Sequence, residues 1–242
     1  MLELLRRTEW ALFLDLVSPS FFEVLPGGVL RRELATLFSS TRDRSGFGGL
    51  RRAQGPELEA LGITWAERGR GTPSPLDAPA RRRQGQAALR LYFRQLLRWD
   101  EVVVDLRSAA FALEADRLHW APRALWTRWE PGFRDGIRDI YRGFYTGDDA
   151  RFRSGLAATG LLPGEDVFRA VFGADDQRSV VFSVTGFQRT FHDVFVRCRE
   201  AGARLPGGVL PLGLTLGCLY QHLEMLGGTF DVRAAFAAEA GE

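Results

Sequence analysis

With 242 residues, 45% of them hydrophobic, 12% aromatic and 26% charged, the chain has enough apolar material for a packed core, which excludes a disordered or low-complexity fibre. No run reaches the roughly 18 uncharged apolar residues that a spanning helix needs. Net charge is +2, and all 32 basic residues are arginine; without a lysine amine there is no Schiff-base chemistry, no Walker-type phosphate loop and no phosphate-pairing kinase lysine.

The charge is uneven. Residues 31–98 hold 14 arginines against 6 acids, a local +8, while the remainder holds 18 against 24, or −6. The blocks Arg31-Arg32, Arg51-Arg52 and Arg81-Arg82-Arg83 punctuate the basic stretch. Such a stretch is a solvated face, a partner for the acidic part of the chain, or a surface for nucleic acid or anionic lipid. The first two are the expectation, and nucleic acid is not an expected partner. The two cysteines, Cys198 and Cys218, lie in apolar, helix-like contexts, which argues against a disulfide and for a reducing cytoplasm.

Leu2, Leu5, Leu12, Phe13, Leu16 and Val17 cover a broad helical face, read as a docked helix, with an interfacial membrane helix as the second reading. Asp15 interrupts its apolar run and no small-residue cleavage site follows, so it is a poor secretory signal. Ser18-Pro19 and Pro26-Gly27-Gly28 break it, and a short helix follows over Leu30–Phe38. Residues 39–85, rich in glycine and proline, read as irregular, with a domain boundary near Arg83. A helix over Ala87–Arg98 precedes a short β-branched strand, Val102–Val104, and a hairpin made by Phe111–Leu113 and Arg117–Trp120.

The rest reads as helical. Pro131 suits a first helical position ahead of the stripe Phe133, Ile137, Ile140, Tyr141 and Phe144. Asp149 is expected to cap the next helix and Gly160 to follow its end; a third runs from Pro163 to Phe172. Phe187, Phe191, Val194, Phe195 and Cys198 mark a fourth, Leu212–Leu226 a buried fifth, and Asp231 caps a last short one. The hexapeptide Leu-Pro-Gly-Gly-Val-Leu occurs at 25–30 and at 205–210, in both places where a turn enters a helix.

Few residue patterns carry chemistry. Of the histidines His119, His192 and His222, none has the His-x-x-x-His or Glu-x-x-His spacing of a metal-binding helix. No Gly-x-Ser-x-Gly occurs, neither cysteine has a histidine at a suggestive spacing, and Ser183 and Thr185 read as helix caps. Gly46-Phe47-Gly48-Gly49 lacks the preceding strand and the lysine of a phosphate loop. Trp120, Trp126 and Trp129 read as core, with a ligand-lining wall as the other reading.

From Gly85 onward the order is helix, short strand, loop, hairpin, then helices alone, the order of a protein-kinase C-terminal lobe around its catalytic loop. The stretch Ala88–Val104, then Tyr141-Arg-Gly-Phe-Tyr-Thr-Gly-Asp-Asp149, Gly155–Pro163 and Thr185–Phe236, resembles the AarF/UbiB family of atypical kinase-like proteins linked to quinone and lipid metabolism. The resemblance covers about 85–242 and lies in pattern and order. Where that family carries His-Ala-Asp-x-His-Pro-Gly-Asn, this chain reads Val104-Asp105-Leu106-Arg107-Ser108-Ala109-Ala110. Asp105 stands for the base, the metal-binding asparagine has no counterpart, and the Asp-Phe-Gly place falls near Ala121-Pro122-Arg123.

The expected fold is therefore mainly α: a kinase C-lobe-like helical domain over 85–242 with one small hairpin, preceded by an irregular extension over 1–84. The resemblance, with these departures, implies a non-catalytic binding or regulatory protein, without cofactor, in the cytoplasm or peripheral to a membrane. Its partner would be a protein, an anionic small molecule or a lipid. The ligand-binding candidates are Asp105, Arg107, His119 and Arg123, with Arg107 and Arg123 forking an anionic group. Two rival readings remain: a metal- or haem-dependent enzyme using His192 and His222, and an anionic-surface binder working through 31–98.

Overall fold

A computed structural model describes residues 19–67, 76–114, 117–172 and 179–241. The helix expected over 2–17 lies outside them. The architecture is mainly helical, with ten helices of six residues or more among the described residues: α1 (Pro19–Val24), α2 (Gly27–Ser40), α3 (Arg44–Glu59), α4 (Ala78–Leu97), α5 (Pro131–Thr146), α6 (Asp149–Ala158), α7 (Glu165–Phe172), α8 (Val184–Glu200), α9 (Val209–Leu226) and α10 (Val232–Ala240). Short strands β1 (Ile63–Trp65), β2 (Glu101–Val103), β3 (Phe111–Glu114), β4 (Arg117–Trp120) and β5 (Trp126–Arg128) complete it.

Contacts divide the chain into two compact units. The first gathers the described residues of 1–33, 130–177 and 183–217; the second gathers those of 34–129, 178–182 and 218–242. Arg83 lies inside α4, so no break falls at the expected boundary.

The described residues of the stretch expected to be irregular over 39–85 lie mostly in regular elements. Asp43 caps α3 by accepting from the Gly46 N–H at 2.8 Å, and Leu50, Gln54 and Leu58 recur at helical spacing on its buried face. Gly46, Gly48, Gly49 and Pro56 lower the local helix propensity, yet the buried stripe overrides it. Helix α4 starts nine residues earlier than expected. Asp77 accepts from the Ala80 N–H at 2.8 Å and Pro79 sits in the first turn, which together fix the start.

In the second unit β1 joins the expected hairpin, giving a three-stranded sheet of order β1-β4-β3. β1 pairs parallel with β4, placing Trp65 opposite Trp120, and β3 pairs antiparallel with β4, placing Phe111 opposite Trp120. β2, one residue earlier than expected, pairs antiparallel with β5, a strand the sequence reading missed. Trp120 is fully buried, Trp129 is buried with its indole N–H donated to the Gln95 carbonyl at 3.2 Å, and Trp126 lies half-buried in β5. Helix α10 packs on α4, where the Phe93 and Phe236 rings meet edge to face at 5.5 Å.

In the first unit Phe21 of α1 meets Phe195 of α8 at 5.1 Å. The two Leu-Pro-Gly-Gly-Val-Leu copies adjoin, since the Leu205 N–H donates to the Val24 carbonyl at 3.0 Å. Asp148, one residue before the expected cap, is the N-cap of α6, and Ser183 caps α8 while Thr185 lies inside that helix. The segment read as one helix from Pro163 is a 3-10 turn (Leu162–Gly164) followed by α7.

Helices α5 and α6 touch backbone to backbone. A Cβ on Gly155 would lie 2.5 Å from the Gly136 carbonyl oxygen and 2.7 Å from the Ile140 nitrogen, and one on Gly143 would lie 2.3 Å from the Phe152 nitrogen. Glycine at 143 and 155 is thus what lets the helices close. Gly155→Ala should cost about 3 kcal/mol, the upper end of overpacking, because backbone cannot step aside as a side chain can. Chemical denaturation would check this, with exposed Gly132→Ala, which meets nothing within 4 Å, as the comparison.

Candidate functional site

Asp105 follows β2 in a tight three-residue turn: the Val104 N–H donates to the Leu125 carbonyl and the Leu106 N–H returns to the Val104 carbonyl, each at 2.9 Å. Its carboxylate is 1% exposed. The Arg107 guanidinium grips it with two bonds, Nε to Oδ1 at 2.8 Å and Nη2 to Oδ2 at 3.0 Å. The Arg123 backbone N–H donates to Oδ2 at 3.0 Å, and the Trp120 indole N–H donates to the Asp105 carbonyl at 3.0 Å. Both carboxylate oxygens are saturated by charge-assisted or backbone donors, the condition under which a buried carboxylate is tolerated.

Behind this loop lies His222 of α9, fully buried. Its Nδ1 is 3.0 Å from the Leu106 carbonyl, which can only accept, so Nδ1 carries the proton. Its Nε2, 2.8 Å from Gln84 Nε2 of α4, then accepts from that amide. The ring lies 4.7 Å from that of Phe111. Burial outweighs the Leu106 hydrogen bond and the Asp105 charge and pulls the imidazole pKa down to about 4. Cys218, one helical turn earlier and equally buried, is pushed well above the thiol range, by burial first and by the Asp105 charge second. It is no nucleophile at neutral pH.

The structure thus brings together Asp105, Arg107 and Arg123 of the expected set. Arg107 has its fork committed to Asp105, so an anion there would have to displace a buried carboxylate. Arg123 joins through its backbone, with its side chain on the exposed surface. His119 does not join. Strand alternation turns it away from the face that Trp120 presents to Asp105, and its Nε2 is 4.0 Å from the Glu114 carboxylate instead.

The two histidines of the metal reading fall in different units, His192 on the exposed face of α8 and His222 in the second unit's interior. Both His222 ring nitrogens are engaged, leaving no lone pair for a metal. Among the described residues no group of three His, Cys, Asp or Glu side chains is placed to hold a metal ion.

A second buried charge cluster was not anticipated. Glu239 of α10, with its side chain fully buried, accepts from Arg90 Nε at 2.9 Å and from Arg94 Nε, while Arg98 Nε donates to its backbone carbonyl at 3.1 Å. Arg94 also reaches Glu57 at 3.3 Å. The arginines recur every four residues on one face of α4 and its C-cap, a spacing visible in the sequence. They and Arg51, paired with Glu67 at 2.6 Å, neutralise part of the basic stretch inside the unit.

In the first unit Glu33 accepts a short hydrogen bond from the Gly208 N–H, while its other oxygen is buried with no hydrogen-bond partner among the described residues. Burial, then the nearby Glu130 carboxylate, raises its pKa above the usual range. Glu130 closes over Gly207, where an added Cβ would meet its Oε2.

No family model matches the chain, and no curated protein does. Among the described residues no helix is long and apolar enough to cross a membrane.

Proposed function

We propose that this chain is a non-catalytic binding or regulatory protein of the pseudokinase type, similar to the AarF/UbiB family, with a link to quinone or lipid metabolism as that resemblance implies. The observation that carries the reading is the closure of Asp105. A general base must reach the proton it abstracts within about 2.6–3.2 Å, or through one water. Asp105 is 1% exposed and has both oxygens filled by Arg107 and the Arg123 N–H.

Supporting it, α4, β2, the Asp105 loop and the β3–β4 hairpin follow one another in the order the resemblance implies, while β1 and β5 are additional to that order. The resemblance leaves the metal-binding asparagine without a counterpart and puts the Asp-Phe-Gly place near Ala121-Pro122-Arg123, which offers no carboxylate. Phosphoryl transfer works by positioned metals and charge neutralisation, and this loop supplies neither.

The test is a thermal-shift titration with ATP and Mg²⁺, together with an assay for released phosphate. The expected result is no shift and no hydrolysis; a ligand at 100 times its Kd adds about 2.7 kcal/mol, so binding would be plain. A saturable shift with nucleotide, or turnover, would overturn the non-catalytic reading.

A further inference from the structure

Arg81 and Arg82, in the second turn of α4, line a cavity of about 200 Å³ whose opposite wall is the turn after α9, Gly227-Gly228-Thr229-Phe230. Both arginines are exposed and neither makes an ion pair among the described residues, in contrast to Arg51, Arg90 and Arg94 on the same stretch of chain. We propose that this cavity binds the phosphate group of a small phosphomonoester, with Arg81 and Arg82 as the recognising residues and the Thr229 hydroxyl as a third donor.

The two walls are held to each other, so the site is preformed. Phe230 is 3% exposed, its ring filling the space where a Cβ on Gly85 of α4 would sit. Its backbone exchanges two hydrogen bonds with Val180 at 2.9 and 3.0 Å. Gln86 Nε2 of α4 clamps the Asp231 carbonyl at 3.0 Å. On the other side, Gly227 and Gly228 are both left-handed, at φ 68° and 84°, and neither would have a Cβ neighbour within 4 Å, so a ligand can approach bare backbone there.

Charge and size then select the ligand. Two adjacent guanidinium groups without internal partners concentrate positive potential, and their planar forks match phosphate oxygens two at a time. The N-terminal turn of α4 is not the source of the site, since Asp77 already occupies the Ala80 N–H. A volume of about 200 Å³ lies below the roughly 300–1,000 Å³ that holds drug-sized ligands. It suits a phosphate with a short organic stub. A soluble phosphomonoester and an exposed lipid headgroup share this chemistry.

Isothermal titration with glycerol 3-phosphate, using glycerol as the blank, tests the site. Wild type should bind saturably, Arg81→Ala/Arg82→Ala should bind at least tenfold more weakly, and Arg44→Ala/Arg52→Ala, which removes the same charge from exposed α3 positions, should bind as wild type does. Equal binding by all three, or none by wild type, would overturn the proposal. Cosedimentation with phosphatidylcholine vesicles, with and without phosphatidic acid, identifies the source. Capture only with phosphatidic acid and lost in Arg81→Ala/Arg82→Ala supports a lipid headgroup, and no capture beside soluble binding supports a free phosphomonoester.

Discussion

Asp105→Ala should lower stability by about 3–5 kcal/mol, the cost of removing one partner from a buried ion pair. The substitution takes the bidentate acceptor from the Arg107 guanidinium, 8% exposed, and the carboxylate oxygen from the Arg123 N–H, in a space closed by Trp120. Against a total of roughly 5–15 kcal/mol for a folded protein, that is a large fraction. Arg107→Ala should cost a similar amount by removing the buried carboxylate's cationic partner and leaving it backbone N–H donors. The double variant Asp105→Ala/Arg107→Ala should cost clearly less than the two singles added together, since neither charge is then left unpaired. Chemical denaturation of the four proteins measures the coupling directly. A poised catalytic base behaves differently, because removing it abolishes turnover at little cost in stability. A loss below about 1 kcal/mol for Asp105→Ala would therefore mean that the pair is not structural, and the case against catalysis would fall with it.

Much of the fold was legible where one signal dominated. Pro131 with the stripe from Phe133 to Phe144, Ser183 ahead of Phe187, and Asp231 at the last helix each combine a cap or a fixed φ with apolar spacing, and each element formed. Legibility failed where local propensity and tertiary packing disagreed. Residues 44–59 carry four glycines and a proline yet form α3, because Leu50, Gln54 and Leu58 find a buried surface that sequence alone does not reveal. β1 and β5, three residues each, are too short for an alternation pattern and exist through pairing with β4 and β2.

The candidate site was legible only in part. Asp105 and Arg107 could be named from order and residue type, but their mutual closure depends on a three-residue turn with no sequence signature. Gln84 and His222 stand 138 residues apart, and each is a buried polar residue on a largely apolar helix face. Two such residues on different helices satisfy each other more readily than they recruit a ligand, because an unpaired buried polar group costs about 1–3 kcal/mol. The same logic accounts for Arg90, Arg94 and Arg98 converging on Glu239. An arginine every four residues along a helix reads as a solvated face until the one acid that draws them inward is seen.

His222 also dictates how the protein should respond to acid. Its imidazole titrates near 6.5 in the unfolded chain and near 4 in the folded protein. Between those values the unfolded state binds more protons, so stability must fall as pH drops through that window. The contribution is fully present above about 6.5 and gone once pH passes below about 4. A separation of that width is on the order of 3 kcal/mol. The physical event is protonation of Nε2, which would turn a donor against the Gln84 amide and place a cation in a fully buried site. His222→Gln keeps an amide N–H for the Leu106 carbonyl and an oxygen for Gln84 but cannot titrate. Its absolute stability should be lower because the ring's contact with Phe111 is lost. The decisive quantity is the slope of stability against pH, from denaturant titrations at several pH values. The variant should lack this share of the acid-limb slope, and an unchanged slope would mean that His222 is already protonated in the fold or that other groups set the acid response.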